Sequence, residues 1–191
     1  MAAGAAALLG GLVVAVSWRD PLPGETGLLE LVVVTNDGWR AVASAVAGAT
    51  DLLPLAVVTG VLVAGLLLRG RARAAAQVAA ASAAVWLVNP LLKSLVARPR
   101  PDLADLPEHL SEYAFPSGHA ANTAVLLGGL AVVVLGSPGS LRRRVAWSVA
   151  ALAFLVVAAS QLALGRHYPS DLLAGWLLAA AVLALLPTRR P

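Results

Sequence analysis

The chain alternates long apolar stretches with short polar connections. Six apolar stretches can be delimited, and each is ended by charge, proline or glycine. They cover residues 2–17, 52–68, 74–92, 120–135, 145–165 and 172–186. A bilayer core of about 30 Å is crossed by about 20 helical residues, with a lower limit near 17. The third and fifth stretches meet that length, and the first, fourth and sixth need a few flanking residues. The pattern predicts an all-α, polytopic membrane helical bundle with about six transmembrane helices.

The apolar stretches also lack the one-sided pattern of a soluble helix. "LLAGWLLAAAVLALL" at 172–186 is apolar all round, whereas a surface helix of a soluble protein shows one apolar stripe. The 191 residues are 59% hydrophobic and 13% charged, and soluble domains carry about 25% charged residues. A buried core of a large soluble protein is therefore a poor alternative, because nothing polar remains to cover it. We expect one membrane domain over residues 1–191.

Two segments leave the number of spans less certain. Residues 39–49, "WRAVASAVAGA", fit either an interfacial helix before the second span or an extension of that span. The first stretch has the length of a signal-peptide core, but no basic residues precede it. We therefore interpret it as an uncleaved first span.

Charged residues are segregated between the connections. Arginines without neighbouring acids follow the second, fourth and sixth stretches. These eight of the fourteen basic residues are Arg69, Arg71, Arg73, Arg142, Arg143, Arg144, Arg189 and Arg190. All ten acids lie in the other connections or at their borders: Asp20, Glu25, Glu30, Asp37, Asp51, Asp102, Asp105, Glu108, Glu112 and Asp171. Positive loops stay in the cytoplasm, so six spans predict both termini inside and the acidic connections outside.

Composition narrows the classes of partner and cofactor. Cysteine is absent, which excludes a disulfide framework and a thiolate metal site. The net charge is +4, but no basic stripe with interleaved aromatic residues is present, so we expect no nucleic-acid partner. We expect membrane lipids as partners, and the sequence does not set the oligomeric state.

Three polar patches, distant in sequence, fall on the predicted outer side. The first is "KSLVARPRP" at 93–101, at the end of the third stretch. Residues before prolines avoid the helical region, so Lys93 is expected near a helix end and Arg98 and Arg100 on a stiffened loop. Arginine forks suit phosphate oxygens, and lysine acts as a point charge. The alternative is that these cations simply reach the membrane interface.

The second patch is "PSGH" at 116–119, which opens the fourth stretch. Pro116 can set the first helical turn, Ser117 can cap it, and Gly118 lets a ligand approach the backbone. The free amides of a helix start favour an anion, and His119 lies beside that position. The alternative is an ordinary helix cap with an interfacial histidine.

The third patch is "GRHYPSD" at 165–171, before the sixth stretch. His167 and Asp171 are four residues apart, and a carboxylate bonded to one ring nitrogen fixes the tautomer of a catalytic histidine. The alternative is that Asp171 only favours the start of a helix electrostatically.

Together the patches offer cations and amide donors for a phosphate, plus two histidines. One histidine can attack phosphorus while the other protonates the leaving oxygen. A zinc site from His109, His119 and His167 is conceivable. The nearby carboxylates show no ligand-like spacing, however, so we predict neither a metal nor a cofactor.

The chain resembles the type 2 phosphatidic acid phosphatase (PAP2) family of membrane proteins, which is related in motif to vanadium haloperoxidases. The signatures of that family read K-x6-R-P, P-S-G-H and S-R-x5-H-x3-D. Here the first is Lys93 through Arg100 and Pro101, the second is 116–119, and the third starts at Ser160 and includes His167 and Asp171. The motifs lie within 93–171, and the six spans fit the family across nearly the whole chain.

The resemblance implies a role for each matched residue. His167 is the nucleophile that becomes phosphohistidine, Asp171 orients it, and His119 protonates the leaving group. The phosphate is held by Lys93, Arg100, Ser117 and the Gly118 amide. The implied reaction needs no metal, faces the extracytoplasmic side, and acts on isoprenoid or glycerolipid phosphates and diphosphates.

One motif position departs from the family. The third signature has arginine after its serine, and this chain has Gln161. Gln161 can still donate hydrogen bonds to phosphate, but charged hydrogen bonds are roughly twice as strong. Arg166 or Arg98 could supply the missing charge, and we expect Arg166 to do so because it adjoins His167.

The sequence therefore predicts a lipid phosphatase of a bacterial plasma membrane, acting on a polyprenyl or phosphatidate-like phosphate or diphosphate. One alternative is a family member that binds lipid phosphates but turns them over poorly, because of Gln161. Another is an intramembrane serine protease with Ser117 and His167 as a dyad. The lysine and arginine cluster disfavours the protease, because a peptide bond does not need three cations.

Overall fold

The computed structural model of the chain describes residues 2–103, 110–134 and 139–187. These residues form helices and no β-strand. The helices are α1 (Ala2–Trp18), α2 (Glu25–Val32), α3 (Asp37–Ala49), α4 (Leu52–Leu68), α5 (Ala72–Val96), α6 (Gly118–Gly129), α7 (Leu141–Ala163) and α8 (Pro169–Ala184). A π-helical segment, Leu130–Val134, continues α6. Arg189 and Arg190, on which the sidedness prediction partly depends, lie outside the described residues.

The predicted all-α membrane bundle is confirmed, and about six spans is consistent with its helices. By length and composition, α5 and α7 can each cross a membrane alone, and α3 with α4 forms a third span if the bent pair counts as one. The remaining apolar helices are shorter: α1, α6 with most of its π-helical continuation, and α8. Six apolar segments thus match the six stretches of the sequence.

The segment between the first and second spans is more structured than the sequence pattern indicates. Residues 39–49 belong to α3, which meets α4 at an angle of 47°. Asn36 caps α3 by accepting a hydrogen bond from the Trp39 amide at 3.2 Å. The short helix α2 was not predicted, and its buried side chains are Glu25 and Leu29. An eight-residue helix is marginal on its own, so its tertiary contacts hold it.

Helices α6 and α8 pack closely at the centre of the bundle. A Cβ on Gly175 of α8 would lie 2.5 Å from the Ser117 carbonyl oxygen, so only glycine allows this approach. On the other side of α8, Val16 of α1 packs with Phe115 and Ala174. This packing places the start of α8 against the start of α6, which brings the second and third polar patches together.

The first polar patch is tied to the same region by its loop. Helix α5 ends at Val96, and Ala97 then adopts a left-handed conformation with φ 48°. Pro99 forms an isolated antiparallel bridge with Tyr113, and the Ala114 amide donates to the Arg98 carbonyl at 2.8 Å. The loop after α5 therefore lies beside the segment that leads into α6.

Candidate active site

The three polar patches meet at one end of the bundle. The ring centroids of His119 and His167 are 6.5 Å apart, with the ring planes at 68°. The Ser117 amide donates to the Asp171 carbonyl at 2.9 Å. Arg100 Nη1 lies 3.2 Å from His167 Nε2. Residues that are up to 78 positions apart in sequence, from 93 to 171, thus line one site.

His167 is positioned by the turn that ends α7. Gly165 has φ +66°, which reverses the chain between α7 and the histidine. A guanidinium only donates hydrogen bonds, so the contact from Arg100 requires an unprotonated Nε2. The ring proton of neutral His167 is then on Nδ1, which lies 3.5 Å from Asp171 Oδ2. This is longer than an ordinary hydrogen bond, and Nδ1 has no partner by stricter geometry among the described residues.

The surroundings of His167 favour its neutral form. Burial lowers the pKa of His167 well below its usual range, and the charges of Arg100 and Lys93 and the ring of His119 lower it further, while a contact with the Ala114 main chain opposes the shift only in part. The side chain is 1% exposed. A neutral imidazole keeps the lone pair on Nε2 that a nucleophile needs.

Asp171 is fixed through both of its carboxylate oxygens. Oδ2 accepts from the Tyr168 amide at 2.8 Å, within the first turn of α8. Oδ1 accepts from Arg98 Nη1 at 2.6 Å. The side chain is fully buried, so its orientation toward His167 is set by the protein rather than by water.

The guanidinium of Arg98 is held by carboxylates. Its Nε, Nη1 and Nη2 are directed at Asp20, Asp171 and Glu25, at 2.7, 2.6 and 2.7 Å. Burial alone lowers the pKa of Arg98, but these carboxylates outweigh it and raise the pKa overall. The expectation that Arg98 could replace the missing motif arginine is therefore wrong, because its donors are already used by three carboxylates.

His119 has a carboxylate neighbour that the sequence did not reveal. Asp51, the residue before α4, places Oδ1 2.8 Å from His119 Nε2. The angle at this contact is unfavourable, and Nε2 has no hydrogen-bond partner by angular criteria among the described residues. The histidine side chain is 7% exposed.

Lys93 and Arg100 are held at the site by main-chain carbonyls. Lys93 Nζ donates to the carbonyls of Tyr113 and Ala114, at 2.5 and 3.2 Å. Arg100 donates through Nε to Ser111 O and through Nη1 to Arg166 O, both at 2.8 Å. Burial lowers the pKa of Arg100 to about 10, a shift that Asp171 opposes and Arg166 reinforces. Arg100 therefore remains charged at neutral pH beside His167.

Ser117 and Gly118 form the start of α6. The Ser117 hydroxyl accepts from the Ala120 amide at 3.4 Å, so it caps the helix as predicted. The serine is fully buried and its hydroxyl is hydrogen-bonded to the Ala120 amide, so the alternative of a protease dyad with His167 gains no support. A Cβ on Gly118 would lie 3.5 Å from Asn89 Oδ1, an ordinary contact. No described neighbour therefore demands glycine here, and the role of Gly118 in admitting a ligand stays a prediction.

Gln161 and Arg166 bring unsatisfied donors into the same region. Gln161 is fully buried in the last turns of α7, and neither its Nε2 nor its Oε1 has a hydrogen-bond partner within the described parts of the chain. Arg166 Nε is likewise buried and unpaired there. Burial lowers the pKa of Arg166; nearby Asp51 raises it and Arg40 lowers it. Buried donors without partners are costly, so these two side chains are candidates for contact with a bound ligand.

Only two of the three histidines of the conceivable zinc site, His119 and His167, belong to the described residues. His109 lies outside the described residues, together with Asp105 and Glu108. Among residues 2–103, 110–134 and 139–187, no group of three or more histidines or carboxylates is arranged to hold a metal ion.

The part of the chain that contains the site matches a known protein family. The family model of the PAP2 superfamily matches residues 73–190, which contain all three polar patches. The chain belongs to the PAP2 superfamily. The fold is similar to that of a crystal structure of a transmembrane PAP2-type phosphatidylglycerolphosphate phosphatase from Bacillus subtilis, with a TM-score of 0.81. That structure is 22% identical, and the match covers 96% of this chain and 92% of the other.

Curated PAP2 relatives share only part of their sequence with this chain. Phosphatidylglycerophosphatase B of Bacillus subtilis (strain 168) is 31% identical over 102 residues, which are 52% of this chain and 50% of the relative. Lipid A 4'-phosphatase of Rhizobium leguminosarum is 36% identical over 116 residues, or 53% and 48% of the two chains. The chain thus spans about half the length of the curated relatives it matches.

Several residues around the PAP2 motifs were missed by sequence reasoning. Asp20, Glu25 and Asp51 were counted only as acids on the outer side, and Ser170 was not singled out. Ser170 Oγ donates to Glu25 Oε1 at 2.6 Å and lies 2.7 Å from Arg98 Nη1. The available signal was that these acids fall in the connections predicted to lie on the side of the motifs, but spacing alone does not pair them.

Proposed function

We propose that this PAP2 chain is a membrane lipid phosphatase that hydrolyses a phosphate monoester or diphosphate of a lipid. The observation that carries the proposal is the pair of buried histidines 6.5 Å apart, with Arg100 against His167 Nε2. The names of two relatives, a phosphatidylglycerophosphatase and a lipid A phosphatase, support a phosphorylated lipid as substrate. A polyprenyl or phosphatidate-like lipid is the proposed substrate class.

The proposed reaction has two steps that share the two histidines. His167 Nε2 attacks phosphorus, the bond from phosphorus to the leaving oxygen breaks, and His119 gives that oxygen its proton. Water then attacks the phosphohistidine, the phosphorus–nitrogen bond breaks, and His119 takes the proton of the water. Asp171 stabilises the charge that develops on the His167 ring.

Fixed donors supply the charge stabilisation in this proposal. Phosphoryl transfer depends on positioning and electrostatics more than on covalent chemistry by the protein. Lys93, Arg100, Ser117 and the Gly118 amide are the proposed phosphate ligands, and Gln161 and Arg166 complete the set. The proposed reaction needs no metal ion or other cofactor, a feature to be tested with a chelator.

The proposal is tested by phosphate release from the purified chain in detergent. Phosphatidate, phosphatidylglycerophosphate and polyprenyl mono- and diphosphate are supplied in parallel, with and without EDTA. We expect release from at least one lipid, unchanged by EDTA. No release from any lipid would reject the phosphatase, and loss of activity with EDTA would reject the metal-free mechanism.

The proposed location is a bacterial plasma membrane, with the site on the extracytoplasmic side and both termini in the cytoplasm. We expect a cysteine at Ser111 to react with an impermeant thiol reagent on intact cells, and one at Ser140 to react only after lysis. The reason is that three arginines follow position 140, whereas Glu108 and Glu112 flank position 111. The chain has no cysteine, so each variant reports one position. Labelling at 140 and not at 111 would invert the topology.

A second candidate function is lipid-phosphate binding with little turnover, and Gln161 motivates it. If Arg166 supplies the missing charge, Arg166→Ala lowers kcat/KM and vanadate affinity by about 10²–10³-fold, because one charged donor to the transferring group is lost. Gln161→Arg then changes little or crowds the site. Both variants are assayed for turnover and vanadate inhibition, since vanadate mimics the transferring group. Arg19→Ala, at an exposed arginine, is the control. A marked gain in Gln161→Arg with an unaffected Arg166→Ala supports the weak binding protein.

A further inference from the structure

A cluster of four charged side chains adjoins the PAP2 site: Arg98, Glu25 and Asp171 are buried, and the Asp20 side chain is 25% exposed. Arg98 meets the carboxylates of Asp20, Glu25 and Asp171, and its own side chain is 1% exposed. The Glu25 and Asp171 side chains are 7% and 0% exposed. Burying charges costs several kcal/mol each, and packed apolar residues often stabilise a fold as well or better. Stability alone therefore does not explain this cluster.

Arg98 is held in one orientation from several directions. Glu25 Oε2 and Asp20 Oδ1 each accept from it at 2.7 Å, and its guanidinium carbon lies 4.3 Å from the centroid of the Tyr168 ring. Glu25 is fixed in turn, because its Oε2 accepts from the Leu22 amide at 2.9 Å and its Oε1 from Ser170. The start of α2 and the start of α8 thus clamp one guanidinium.

The clamped guanidinium directs the catalytic carboxylate. Its Nη1 bonds Asp171 Oδ1, while the Tyr168 amide bonds Oδ2. With both oxygens held, the carboxylate cannot rotate, and Oδ2 stays on the side of His167 Nδ1 at 3.5 Å. A small shift of the His167 ring would bring Nδ1 within hydrogen-bond distance of Asp171 Oδ2 during catalysis.

We infer that Arg98 and Glu25 are positioning residues for hydrolysis, which act through Asp171 to set the orientation of the nucleophile His167. Arg98 lies inside the first signature at a position that the signature leaves open, and Glu25 lies outside all three; neither is among the proposed phosphate ligands. The inference rests on the proposed phosphatase function. It also assigns a role to the segment before and at the start of α2, which would otherwise be a plain connection between spans.

A double-mutant cycle tests this inference in the full-length protein. Arg98→Gln is expected to lower kcat by about 10–100-fold, the range for residues that orient a ligand or catalytic group. KM and vanadate inhibition should stay unchanged, because the phosphate ligands remain. In an Asp171→Asn background, Arg98→Gln should cause no further loss, since the group that it orients is gone. A merely structural role would cost activity in both backgrounds.

Milder variants guard against misfolding of Arg98→Gln, which leaves three carboxylates without their partner. Arg98→Lys keeps the positive charge but loses the planar guanidinium, and its kcat should lie between those of the wild type and Arg98→Gln. Glu25→Gln and Ser170→Ala each weaken one of the contacts that hold Arg98. Each is also measured in the wild-type and Asp171→Asn backgrounds. Glu30→Gln is the matched control, because Glu30 lies exposed on the same helix. Helical circular dichroism and size-exclusion elution confirm that each variant folds.

The outcomes separate this inference from the proposed function. An active wild type with losses that vanish in the Asp171→Asn background supports the positioning role. An active wild type with losses that add in both backgrounds, or with a raised KM alone, overturns it. An inactive wild type on every lipid rejects the proposed function, and the positioning role falls with it.

Discussion

His167→Ala is expected to abolish phosphate release from every lipid substrate and to leave no phosphoenzyme. Without Nε2 there is no nucleophile for the first step, and loss of a nucleophile in other covalent enzymes costs about 10⁶ in kcat. The experiment mixes enzyme and substrate, quenches in alkali, where phosphohistidine survives, and measures bound phosphate together with release. The wild type should show both signals.

Asp102→Asn is the control for this experiment, because Asp102 is an exposed carboxylate outside the site. It should retain full release and full phosphoenzyme. If His167→Ala kept release near the wild-type rate, the assignment of the nucleophile would be wrong. Alkali-stable phosphate bound to the His167→Ala protein would instead point to another histidine.

The architecture could be predicted because the bilayer dictates it. Apolar stretches long enough to cross the membrane must be helical, since every backbone group has to be paired within the lipid. The helix boundaries were harder to predict where capping or tertiary packing determines them. Helix α6 starts at Gly118 rather than 120, because Ser117 caps it, and α2 forms only through its contacts with the rest of the chain.

The motif residues of the site could also be predicted, since Lys93, His119 and His167 lie in patches that the topology brings to one side. The residues that surround these motif residues could not be predicted. Glu25 meets Ser170 across 145 positions, and Arg98 meets Asp20 across 78, and no local pattern pairs residues so far apart. Arg98 and Arg100 sit two residues apart with the same chemistry, yet only Arg100 faces His167. The conformation of the loop after α5 makes that difference.

The effect of Gln161 likewise depends on packing. The family signature has arginine where this chain has Gln161, but only the structure shows that the amide is buried with both polar atoms unpaired within the described residues. It also removes Arg98 as a substitute and leaves Arg166 as the nearby cation. Of the two arginines considered as a replacement for the motif arginine, Arg166 is therefore the one to test.

His119→Ala is expected to separate substrates by their leaving groups. A lipid alkoxide leaves poorly unless it is protonated, so kcat/KM for the lipid should fall by about 10²–10⁴-fold, the usual contribution of a general acid. p-Nitrophenolate leaves readily without a proton, so kcat/KM for p-nitrophenyl phosphate should fall by about tenfold at most. Because kcat/KM reports only the steps through phosphoenzyme formation, a slower second step does not disturb this comparison. Asp51→Asn should follow the same selectivity with a smaller loss, since Asp51 Oδ1 lies 2.8 Å from His119 Nε2. Equal losses on both substrates would show that His119 binds the phosphate instead of protonating the leaving oxygen.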